Sequence, residues 1–119
     1  MKRSILIAAF ALIATLILVA PPLMAAETAI KTDDDLVSAI QANTPEKHQE
    51  IAAWYKAKAE DEKKQAEDHR KMSTSYVGSK AVYADKMHMH CDELVALHEK
   101  LAKEYDRLAA EHEAMAGKK

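Results

Sequence analysis

The stretch Met87-His88-Met89-His90-Cys91 sets two thioethers, two imidazoles and the only cysteine of the chain in five consecutive positions. Soft and borderline metals take those donors, copper(I) before zinc(II). A thioether is a poor zinc ligand, so Met72, Met87, Met89 and Met115 beside six histidines direct the expectation to copper, with zinc second. Paired-cysteine patterns and HExxH are absent. No CxxCH occurs either, so covalent haem is excluded, and non-covalent haem is not expected because a haem pocket wants large apolar walls.

Helical geometry sorts these donors. At about 100° per residue, Met87, His90 and Cys91 fall within one third of the circumference, His88 sits at its edge and Met89 points away. In an antiparallel hairpin turning at Gly78, His69 comes to the height of His90 and Cys91, and Met72 to that of Met87. At the opposite end His48 comes to the height of His112 and Met115. Two candidate metal sets result: His69, Met72, Met87, His90 and Cys91, and then His48, His112 and Met115. His98, among leucines, is expected to serve packing, and His88 to be solvated or an outer ligand.

A second reading uses the same residues differently. Methionine on a helix seam is a flexible filler, cysteine a small buried apolar group, and histidines on a charged helix are commonly solvated. The chain would then be a helical interaction module, a stress chaperone or adaptor, whose Met and Tyr seams bind other chains. Catalysis is not expected, because no nucleophile stands beside a base and an orienting acid at recognisable spacing.

The elements that must position the donors are sharply punctuated. Residues 1–26 read as a signal peptide: Lys2 and Arg3 precede an apolar run from Ile5 to Ala20, then Pro21, Pro22 and a small-residue stretch. Export to the periplasm or beyond is therefore expected, with no membrane attachment after cleavage. With Lys2 and Arg3 removed, 15 basic residues face 19 acidic ones, a balance that argues against nucleic acid. A lone cysteine cannot form an intramolecular disulfide, so Cys91 is a free thiol, an intermolecular bridge or a ligand.

Residues 27–43 form an N-terminal segment in which Thr32-Asp33-Asp34-Asp35 resembles a capping box ahead of a short helix. Residues 44–119 form the main domain. Thr44 as N-cap and Pro45 in the first turn open a long helix to about Tyr76. Val77-Gly78-Ser79 makes a short turn, and Ser79 is expected to cap a second long helix ending near Ala116. The stretch Lys56 to Lys71 alternates in sign and is expected to be a solvated helix face.

The second helix carries a heptad row, Met87, Cys91, Leu94, His98, Leu101, Tyr105, Leu108, His112 and Met115. The first carries a weaker one from His48 to Tyr76. A shift of 43 positions superposes the helices with His48 on Cys91, His69 on His112 and Met72 on Met115, so both contain A-x-x-H-x-x-M. From Glu27 onward the chain has twelve Leu, Ile and Val, sixteen Ala and no Phe, a composition that needs help to bury a core. The fold expected is all-α: a two-helix hairpin with a short extra N-terminal helix, completing a four-helix bundle as a homodimer.

Overall fold

The computed structural model describes residues 29–118, and the expected signal peptide lies outside the described residues. Those residues form three helices and no strand: α1 (Asp33–Ala42), α2 (Pro45–Tyr76) and α3 (Ala84–Ala116). None is long and apolar enough to cross a membrane. The two long helices pack antiparallel, and α1 folds back onto α2.

Local chemistry sets most boundaries. Thr32 Oγ1 accepts from the Asp35 N–H at 3.1 Å, while the Asp35 carboxylate accepts from the Thr32 N–H at 3.0 Å, closing the capping box of α1. These N–H donors, the Lys31 N–H foremost, hold the Asp35 carboxyl below its usual pKa. Asn43 ends α1 in the left-handed region (φ 49°), a conformation asparagine tolerates. Thr44 then caps α2 through the Lys47 N–H at 3.2 Å.

The start of α3 departs from the sequence expectation. Ser79 does not cap it; its hydroxyl accepts from the Ala81 N–H at 3.2 Å, closing a local turn. Regular helix begins only at Ala84, after Tyr83 adopts φ 70° with no side-chain cap bond. The connection is therefore an open loop, with Val77, Val82 and Tyr83 exposed.

Packing between α2 and α3 also differs from the expected row. Apart from His48 and Ile51 at the start of α2, the buried residues of the two long helices are small: Ala52, Ala59, Ala66 and Ser73 on α2, spaced by seven, and Ala84, Cys91, Ala102 and Ala109 on α3. Small side chains let two backbones approach closely, so alanine fills most of this contact. The heptad row of α3 lies along one edge of this contact. Cys91 is buried and His98, Tyr105 and His112 are half-buried, whereas Met87, Leu94, Leu101 and Met115 are exposed.

Cross-helix ion pairs line the other edge: Lys56 with Glu113, Lys63 with Asp106 at 3.2 Å, and Arg70 with Glu99 at 2.5 Å. All are solvent-exposed, so water and salt screen them and each contributes little. The hairpin thus has one face closed by charge and one open, partly apolar face. A small cluster of Ile30, Ala39 and Ile51, covered by Leu36, Trp54 and Tyr55, pins α1 to the end of α2. Trp54 is half-buried there, with Lys58 Nζ 5.0 Å from its ring centroid.

Candidate metal centre

On the open side of the alanine seam, α2 presents His48, Tyr55, Glu62, His69 and Tyr76 at intervals of seven. Across from them α3 presents Cys91, His98, Tyr105 and His112. A spacing of seven on both helices keeps each row facing the other along the hairpin. The rings meet in sequence: His48 with His112 (centroids 5.1 Å), His112 with Tyr55 (5.8 Å), Tyr55 with Tyr105 (5.9 Å) and, further along, His69 with His98 (5.3 Å, 11° between planes).

At one end His48 is buried and its Nδ1 lies 2.9 Å from His112 Nδ1. His48 Nε2 lies 2.9 Å from Asn43 Oδ1. A carboxamide oxygen only accepts, so His48 Nε2 carries the proton and donates it, leaving Nδ1 with its lone pair directed at His112. The left-handed end of α1 thereby orients a ring on α2 toward a ring on α3. Burial, and then the neighbouring His48, lower the pKa of His112. Two imidazole nitrogens from different helices thus face one another across 2.9 Å.

Imidazole–metal bonds are about 2.0–2.1 Å, so two ring nitrogens on one tetrahedral ion stand roughly 3.3 Å apart and on a linear ion about 4 Å. The observed 2.9 Å is within an ångström or so of both. Met115, one turn beyond His112 on α3, is exposed.

The other expected set is more dispersed. His69 does reach the interface, but its ring stacks on His98, one heptad beyond Cys91. Its Nδ1 is buried without a hydrogen-bond partner among the described residues. Cys91 is buried as a free thiol. Met72 and Met87 are exposed. His90 is exposed as well, with Glu93 of its own helix 3.6 Å away. Within one copy of the chain, no three His, Cys, Asp or Glu side chains of the described residues converge as a metal cage.

Three participating residues escaped sequence reasoning. His98, assigned there to packing, donates from Nδ1 to Glu62 Oε2 at 2.5 Å. A protonated Nδ1 leaves Nε2 as the lone-pair nitrogen of the neutral tautomer, and the carboxylate holds the ring's orientation. Asn43, which orients His48, has no role in the sequence reading. The available signal was its position just before the Thr44 cap, within reach of the first turn that bears His48.

His88 forms a separate group. Its Nδ1 lies 2.7 Å from Ser73 Oγ, and its Nε2 lies 3.5 Å from Asp92 Oδ2. Ser73 Oγ donates to Asp92 itself, so the three close a triangle rather than a relay. Ser73 is buried in the small-residue seam, while His88 is half-buried and Asp92 exposed.

No family model, no curated protein and no solved structure matches this chain.

Proposed function

We propose that this protein is an exported, periplasmic copper-binding protein of metal buffering, trafficking or resistance, and a binding protein rather than an enzyme. The observation that carries the proposal is the His48–His112 pair: two Nδ1 atoms 2.9 Å apart, one ring fixed by Asn43. Ordering a ligand by an outer hydrogen bond is how protein sites raise imidazole basicity and reduce the reorganisation that metal binding demands. Met115 on the next turn offers a thioether, which selects copper over zinc. His69 and Cys91, on the same two rows, extend the soft-donor character toward the loop. Met72, Met87 and His90 are exposed positions from which an incoming ion could be received.

The homodimeric four-helix bundle belongs to the same proposal. A single hairpin leaves Met87, Leu94, Leu101 and Met115 in solvent, and a second copy would cover them. That exposed row also favours a second reading, in which the protein is a helical interaction module whose open face receives other chains.

The test is copper and zinc content per chain, measured by mass spectrometry on untagged protein recovered from an export compartment in metal-replete medium. At least one copper per chain that survives a competing chelator, with one copper per chain lost in His48→Ala and in His112→Ala, is the expected result. Folded protein that never retains copper would overturn the proposal and leave the interaction module.

A further inference from the structure

The exposed row on α3 has a property that its individual residues do not. Met87, Leu94, Leu101, Leu108 and Met115, of which Leu108 is half-buried and the other four exposed, recur at intervals of seven and read the same in both directions about Leu101. Laid antiparallel on itself, the row sets Met87 against Met115, Leu94 against Leu108, and Leu101 against its own copy. A two-fold interface requires this self-complementarity of one patch. The row is about 42 Å long at 1.5 Å per residue, and the open face is two helices, roughly 20 Å, wide. That footprint is on the order of 800 Å² per copy, the size of a standard specific interface.

The dyad that centres on Leu101 passes close to the layer holding Glu62 and His98. On α3, His98 lies one turn from Leu101. On α2, Glu62 is joined to His98 by the 2.5 Å hydrogen bond. In one hairpin the side chains of His98 and Glu62 keep only 24% and 19% of their surface in solvent. Beside them His69 stacks on His98 with its buried Nδ1 unpartnered among the described residues.

We infer that two copies pair antiparallel across the Met87–Met115 row, and that pairing brings His98 and His69 of both chains into one interior layer that binds a single copper ion on the dyad. This rests on the homodimer proposed above, though not on the His48–His112 site. Glu62 is the positioning residue: by accepting from Nδ1 it leaves His98 Nε2 as the lone-pair nitrogen of each copy. His69 turns about its terminal torsion, which is soft, to offer its own ring. Imidazoles from four helices of a bundle core suit copper and zinc, and the site is incomplete in one chain.

Copper(II) titrated into the chain as the cell processes it, followed by native mass spectrometry and analytical ultracentrifugation, tests the inference. The wild-type protein is expected to sediment as a dimer and to load three coppers: one at each His48–His112 pair and one on the dyad. Leu101→Glu, an exposed position in the hairpin, should give a monomer with unchanged helix content and one copper per chain. His98→Ala should remain dimeric with two coppers. Glu62→Gln should remain dimeric and hold the third copper at least tenfold more weakly. His48→Ala should keep the dyad ion alone, which separates failure at one site from failure at the other. A monomeric wild type, absence of a copper shared per dimer, or a shared copper indifferent to His98→Ala would overturn the inference.

Discussion

Ala59 is completely buried on α2, and Ala102 and Ala109 on α3 are 3% and 1% exposed. If close approach of these backbones holds the hairpin, Ala59→Leu is the most damaging single apolar substitution. Leucine adds three carbon atoms where no space remains, and the helices must separate or the side chain must leave its rotamer. Overpacking of this kind costs about 2 kcal/mol. For a domain of this size each kcal/mol moves Tm by about 4–8 °C, so a fall of roughly 8–16 °C is expected. Helix propensity contributes little, since leucine ranks just behind alanine. Ala57→Leu, at an exposed position on the same helix, is the matched control and should stay within about 0.5 kcal/mol of wild type. Thermal and urea unfolding followed by far-ultraviolet circular dichroism read both variants. The separation should also pull His48 from His112, so Ala59→Leu should bind copper more weakly even when folded. Equal Tm values for the two variants would refute the alanine seam as the contact that holds the hairpin.

Asn43→Ala removes the acceptor that orients His48. It should cost about 2 kcal/mol of stability, one hydrogen bond plus the left-handed backbone that alanine tolerates less well than asparagine, and about tenfold or more in copper affinity by competition titration. Acid should destabilise the metal-free protein through His112. Its folded pKa is depressed while its unfolded value is ordinary, so its contribution is complete above about pH 6.5 and is lost as pH falls from there through the lowered folded value. Urea midpoints should therefore decline below about pH 6.5, and the decline should flatten in His112→Gln. Gly78 sits at φ 71° with open space around its α-carbon, so Gly78→Ala meets no clash yet should lose about 1 kcal/mol from backbone conformation alone in a chemical melt.

Much of the architecture was legible because its signals are local. Thr32, Thr44 and Pro45 cap or start helices through bonds within one turn, and α1 and α2 begin where those residues place them. The late start of α3 was not legible. Ser79 can cap a helix or close a turn with Ala81, and the choice depends on how the chain must cross between two packed helices. The expectation that His48 comes level with His112 agrees with the contact found, because the rise per residue and an antiparallel turn already determine height. The pairing of His69 with His98 depended on azimuth as well as height, and azimuth follows from which face of each helix packs.

The amino-acid sequence by itself determined that this chain makes long helices, where two of the three begin, and that its imidazoles recur at heptad spacing, since capping and periodicity are properties of neighbouring residues. Only the tertiary structure decided that alanines rather than the Met, Leu and His row form the closest contact. It also decided that Asn43 and Glu62 orient His48 and His98, because interhelical distance and ring orientation arise from side chains far apart in the chain. A hydrophobic pattern ranks residues by how much surface they could bury, whereas two close-packed helices select the side chains small enough to let the backbones meet.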